Sequence, residues 1–206
     1  ATHLRPEPFI ESDAPEIVAE AQAAAGGAAS PRQRAERLVR HVHALLEKKP
    51  TVSLPSALEV LKTRIGDCNE HTALYVALAR AQGLPARVAV GLVYLRGAFY
   101  YHAWPEVWVD EGRGLGLWLP VDPTLNQFPA DATHVRLARG GLDRQAAILG
   151  LVGRARLEIT DVELRPGAVP LLVGRAPTDL RPLDLPLLRR DGSGRGCWSS
   201  PARSHE

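Results

Sequence analysis

Three side chains in this 206-residue sequence are of the types that together make a covalent catalyst: the thiol of Cys68, the imidazole of His102 and the carboxylate of Asp122. Cys68 sits in Gly66-Asp67-Cys68-Asn69-Glu70-His71, ahead of the mostly apolar run Thr72 to Gln82. Asp67 with Glu70 three residues on reads as a capping box, so Asp67 is the N-cap of a helix and Cys68 its first residue. Unpaired backbone N–H groups and the helix dipole there favour thiolate over thiol. His102 lies in Tyr100-Tyr101-His102-Ala103-Trp104-Pro105-Glu106-Val107-Trp108, and Asp122 in Val121-Asp122-Pro123-Thr124. If the two runs pair as strands, Asp122 reaches one ring nitrogen of His102 while the other faces Cys68. Thiol, base and orienting carboxylate are the parts needed for nucleophilic acyl transfer.

Each residue also has a plainer reading. A free cysteine is more often a small buried hydrophobe than a nucleophile. A lone histidine in an aromatic strand is more often a satisfied core residue, and Asp-Pro-Thr alone is a good turn. The three in elements that can converge favour chemistry. A rival arrangement takes Cys68 and His71, three apart on one helix face, with His102 as zinc ligands and an open fourth position. It leaves Asp122 without a role, and no metal is assigned. His71, Tyr100 and Trp104 are candidates to line a substrate cleft, with capping or core packing as the alternative for each.

The elements that must hold these groups are legible in the pattern. The Cys68 helix is apolar on nearly every face, as a helix in the middle of a core is; Gly83 suits its αL stop and Pro85 forbids a restart. Asp13 with Glu16 and Ser30 with Gln33 mark two earlier helix starts, and Ala35, Leu38, Val39, Val42, Leu45 and Leu46 form one apolar stripe. His41 and His43, two apart near that stripe, read as helix-surface histidines. A short helix is expected from Pro55 to about Lys62. Strands follow at Arg87 to Leu95, Phe99 to Val109, Leu117 to Val121, His134 to Ala138 and Arg154 to Leu164, and short connections argue for antiparallel pairing. Alternation places Tyr100, His102 and Trp104 on one face, the one expected to pack on the helix. Pro105 should mark an edge or bulge. Helices first and strands after make the chain α+β.

Composition sets outer bounds. The formal charge of +2 implies no strong field for nucleic acid, and no apolar stretch approaches the length of a membrane span. With two cysteines, Cys68 and Cys197, there is no disulfide framework. Starting at Ala1 and lacking methionine, the chain reads as a fragment or processed product, which tilts the expected location towards extracytoplasmic.

Gly-Asp-Cys with its helix, Gly83-Leu84-Pro85-Ala86-Arg87-Val88, His102-Ala103-Trp104 with Glu106-Val107, and Val121-Asp122-Pro123-Thr124 resemble, in this order, the transglutaminase-like superfamily of bacterial type. The resemblance runs from about Ser53 to Gly141. It implies a papain-like α+β core, a Cys68-His102-Asp122 triad, and thioester chemistry on peptide or carboxamide bonds: cysteine protease, amidase or transglutaminase-type acyl transfer. Some members have lost activity, so an inactive binding or scaffold module is the alternative. The implied partner is a protein or peptide substrate. No cofactor is implied, and no oxygen-rich loop calls for calcium. The expected organisation is a lead-in with helices over 1–52, a catalytic core over 53–164 and an irregular to disordered tail over 165–206.

Overall fold

The computed structural model describes residues 2–50, 56–110 and 116–140, single residues between 144 and 157, and the backbones of Leu187–Arg190 and Gly196–Ser199. The chain divides into two compact units, Ala1–Val152 and Gly153–Glu206.

In the first unit, α1 (Pro15–Ala25), α2 (Pro31–Leu45) and α3 (Ala57–Thr63) precede α4 (Cys68–Ala81). Two-residue strands β1 (Glu47–Lys48) and β2 (Ile65–Gly66) pair in parallel just ahead of α4. Then come β3 (Ala86–Leu95), β4 (Ala98–Val109), β5 (Leu117–Pro120) and β6 (His134–Arg139), which form one antiparallel sheet in the order β5-β4-β3-β6. The fold is α+β, as the pattern requires.

The helix starts follow from their caps, with one exception. Ser30 accepts from the Gln33 N–H at the start of α2, and Ser56 caps α3. Asp67 and Glu70 close the reciprocal box at α4. Asp13, by contrast, is not a cap: α1 begins at Pro15 behind Ala14, with no side-chain cap bond. Proline at the first position already lacks the N–H a cap would satisfy.

Leu74, Tyr75, Ala77 and Leu78 of α4 share one core with Ile17, Leu38 and Val42 from the earlier helices and with Val88, Val90, Ala103 and Val107 from the sheet. The helix is wrapped on both sides, which is why it carries no polar face. Arg80, 5% exposed, ties the N-terminal lead-in to it by donating to the carbonyls of Ala86 and Arg5 and pairing with Glu7.

Pro105 sits inside β4, opposite Val88. Its carbonyl accepts from Val121 N–H on the β5 side, so its missing N–H also faces that side. Ladder pairing with β5 begins only one residue on, at Glu106, so the proline costs the ladder no bond.

On β3, Gly91 sits where β6 bulges. A Cβ there would lie 2.0 Å from the Val135 carbonyl oxygen, closer than any side chain allows. Gly91→Ala should therefore push β6 off β3 and destabilise the protein by about 1–3 kcal/mol, as overpacking does. Urea denaturation would read this; a wild-type midpoint would remove the constraint assigned to Gly91.

In the second unit two short strands are described within the stretch 165–206, expected to be an irregular to disordered tail, the rest of which lies outside the described residues. Leu187–Arg190 (β7) and Gly196–Ser199 (β8) pair antiparallel, with Arg189 opposite Cys197. The strand expected over Arg154 to Leu164 falls almost wholly outside the described residues.

Candidate active site

Cys68 stands at the first position of α4, directly after its N-cap, and is 8% exposed. Its sulfur accepts a hydrogen bond from the backbone N–H of Ala103. This contact has a simple origin. Odd-numbered residues of this part of β4 turn their N–H groups towards β5, and β5 stops at Pro120, opposite Glu106. The thiol docks on the β4 edge left open beyond that point, one residue from His102.

His102 and Asp122 meet. The Nε2 of His102 lies 2.7 Å from Oδ2 of Asp122, and the two side chains are 2% and 0% exposed. With Nε2–H donated to the carboxylate, Nδ1 is left as the basic nitrogen. Asp122 is itself held by the turn it opens: Oδ1 accepts from the backbone N–H groups of Thr124 and Leu125 at 2.7 and 2.9 Å. Its backbone exchanges hydrogen bonds with Gln127. Burial alone would raise this carboxyl. The charge and hydrogen bond of His102, the bond from His134 and the backbone donors outweigh it and hold Asp122 well below the usual carboxylate range.

The expectation of a depressed thiol pKa is overturned. Burial pushes Cys68 up, and so do the carboxylates of Asp67, Asp122 and Glu70; the Ala103 N–H offsets only part of this. The capping box that starts the helix supplies two of those carboxylates, an effect the helix-dipole reading left out. Asp67 is itself raised to about 7 by burial and by Glu70. Together these favour the neutral thiol form of Cys68.

His134 is the residue that sequence reasoning missed. It heads β6, and its Nε2 lies 3.0 Å from Oδ2 of Asp122, the same oxygen that His102 holds. Its Nδ1 faces Asp131, with the carbonyl at 3.3 Å and Oδ1 at 3.4 Å. The only available signal was a histidine opening the strand expected from His134 to Ala138.

The expected cleft residues sit as follows. Tyr101, Ala103 and Val107 face the α4 core, so alternation turns His102 and Trp104 to the opposite face of the sheet. The periodicity was legible but its phase was not. Trp104, 1% exposed, stacks on His102 with ring centroids 6.0 Å apart and meets His134 edge-on at 5.0 Å. It is a packed wall behind the histidines. Tyr100, opposite Val93, is half-buried. His71 has no exposed surface and does not line an open cleft. Its Nδ1–H donates to the Asp67 carbonyl at 2.7 Å, and burial lowers its pKa to about 4.

The zinc set Cys68-His71-His102 is not assembled: among the described residues, the close group of His, Cys, Asp and Glu side chains is His102, Asp122 and His134, with one atom from each lying within 4.8 Å of the others. His43 is not a free surface histidine either; its Nδ1 lies 3.0 Å from the Pro123 carbonyl, so α2 braces the turn that holds Asp122.

A thiol at a helix start, bonded to the strand residue that follows a histidine paired with a buried aspartate, on a central helix against an antiparallel sheet, is the arrangement of a papain-like architecture. The transglutaminase-like superfamily profile matches residues 19–123, and the chain belongs to that superfamily. It is 33% identical over 91 residues to the uncharacterized protein Rv2569c of Mycobacterium tuberculosis, a match spanning 40% of this chain and 29% of that protein. Among solved structures it resembles a candidate cysteine protease from Cytophaga hutchinsonii, with TM-score 0.57, 22% identity, and coverage of 68% of this chain and 46% of that one. The periplasmic domain of TgpA from Pseudomonas aeruginosa bound to ethylmercury gives TM-score 0.45 and 26% identity, covering 60% and 48%. The chain thus spans less than a third of the curated relative it matches. No described helix is long and apolar enough to cross a membrane.

Proposed function

We propose that the protein is a thiol enzyme that breaks peptide or carboxamide bonds through a thioester on Cys68. The observation that carries this reading is the buried bond of His102 Nε2 to Asp122, with the Cys68 thiol hydrogen-bonded to the very next residue of the strand. The thiol proton passes to His102 Nδ1 as sulfur attacks the acyl carbon, and Asp122 fixes the tautomer and stabilises the imidazolium. The Cys68 N–H, free of helical bonding at the first position, is a donor for the oxyanion. Collapse of the tetrahedral species breaks the C–N bond, and the leaving amine takes the proton from His102. Water or a second amine then attacks the thioester, gives its proton to His102, and releases acid or new amide with the thiol restored.

Because burial and the neighbouring carboxylates favour the neutral thiol, proton transfer to His102 accompanies attack on the acyl carbon. Hydrolysis is the favoured outcome. Trp104, 1% exposed, is packed against His102 and His134 and so is not free to close over an acyl group, and water at its bulk concentration then has the advantage over an amine. In a competition assay, a glutamine-containing acyl donor with rising primary amine should yield mainly acid; amide dominating at millimolar amine would establish transfer instead. Treatment with a strong zinc chelator should leave turnover and Cys68 labelling unchanged. Loss of either on chelation, restored by zinc, would replace the triad with metal chemistry.

A further inference from the structure

We propose that His134 is a positioning residue of the site: by sharing Asp122 Oδ2 with His102, it fixes that carboxylate and limits the negative charge it presents to the base. This rests on the thiol-enzyme reading and deepens it.

The geometry is specific. Two imidazole Nε2 atoms, one from β4 and one from β6, reach the same carboxylate oxygen at 2.7 and 3.0 Å. The other oxygen is taken by two backbone donors. Asp122 is therefore held from three directions, and it cannot swing away from His102 without breaking bonds to β6 and to its own turn. The two imidazoles lie 5.6 Å apart at their centroids, and Trp104 contacts both. Such packing fixes ring orientation as well as distance. The His134 side chain is 3% exposed, so water does not compete for these bonds.

The charge argument follows from who surrounds whom. His134 faces Asp122 and Asp131, with the His102 ring beyond. Burial lowers its pKa, but the two carboxylates outweigh that and raise it to about 9, so it is cationic at neutral pH. Asp122 also feels His43 and Lys48 from the helical side and His71 from α4. Burial lowers the pKa of each of these three, and the two histidines are neutral near pH 7. Cys68, with Asp67 and Glu70 beside it, completes the set. An aspartate facing only one imidazole would drive that imidazole towards its protonated form and occupy the base. A cation already paired with Asp122 offsets the charge of that carboxylate, so less of it acts on the imidazole that is to accept the thiol proton.

The test uses iodoacetamide on the full chain, with alkylation of Cys68 followed by mass spectrometry from pH 5 to 10, and near-ultraviolet circular dichroism to confirm folding. His134→Gln keeps an N–H donor but removes the charge; the acid limb of the alkylation profile should move up by about one pH unit, with its plateau largely kept. His134→Phe removes both, and the rate at pH 7 should fall about tenfold, one pH unit's worth of base occupancy. Asp131→Asn, which weakens the hold on His134 from the far side, should shift the limb in the same direction by less.

An unmoved limb in folded His134→Gln, even with a reduced plateau, overturns the proposal by reducing His134 to scaffold. If His134→Phe fails to fold, His134→Gln and Asp131→Asn still decide it. His102→Gln separates the two levels of argument. If it leaves Cys68 alkylation unchanged, the thiol-enzyme reading itself falls; if it slows alkylation while the His134 variants do nothing, only the role of His134 does.

Discussion

Cys68→Ala should abolish turnover, and His102→Ala should lower kcat/KM by about 10⁴-fold, close to the loss for the nucleophile itself, because groups that act as one unit lose nearly everything when either is removed. The measurement is capture of the acyl-enzyme with a library of peptide and glutamine-mimic electrophiles, read as a mass increment on Cys68. Wild type should form the adduct, His102→Ala should form it slowly, and Cys68→Ala should form none. Labelling of Cys197 at the same rate as Cys68 would remove the case for an activated thiol. The raised Cys68 pKa adds a condition. Below pH 7 the thiol should be no more reactive than an ordinary cysteine once His102 is gone, because a buried thiol among carboxylates has no other route to the thiolate. Fast labelling of His102→Ala at pH 6 would mean a standing thiolate, which burial and three carboxylates oppose.

Asp122→Ala should destabilise the protein by about 3–5 kcal/mol, the range for removing one partner of a buried charged network. The reason is the number of groups the carboxylate satisfies: two buried imidazoles and two backbone N–H groups. Asp122→Asn keeps the shape, and its expected signature is a changed pH dependence of stability with a smaller loss at pH 7. The sign follows from the shifts. Asp122 is depressed on folding, so it contributes stability above the unfolded carboxylate value of about 3.9, lost as pH falls below it. His134 is raised to about 9, so its contribution is complete below the unfolded value of about 6.5 and is lost as pH climbs from there through 9. Wild-type urea midpoints should fall off on both sides, and Asp122→Asn should flatten both slopes. Unchanged slopes would mean that neither shift reflects the Asp122 bonds.

The same carboxylate shows how site and fold depend on each other. Asp122 closes a turn through Gln127, and α2 braces that turn through His43 and the Pro123 carbonyl. The cluster thus doubles as a clasp between the helical layer and the end of β5. On the outer sheet face, the Glu106 carboxylate is met by Arg87, Arg136 and Arg139, and its pKa is held down against the effect of its own burial. These bonds tie β6, and with it His134, to β3 and β4.

The sequence by itself determined whatever depends on neighbours a few residues apart. Asp67 and Glu70 lie on one helical turn, so the capping box and the placement of Cys68 at the helix start follow from spacing alone. The strand runs at 87–95, 99–109 and 117–121 are short and closely connected, so antiparallel neighbours, and with them the meeting of His102 with Asp122, follow almost as directly. What only the tertiary structure decided depends on groups brought together from afar. The sheet order puts β6 beside β3 rather than beside β5, and no local pattern says that His134 returns to Asp122. Alternation has two phases, and only packing on α4 chose the one that buries Tyr101 and Ala103 there and turns His102 and Trp104 away. The thiol pKa also needed the fold. A helix N-terminus lowers it, but burial and the convergence of Asp67, Asp122 and Glu70 raise it, and in a dry site those carboxylates dominate.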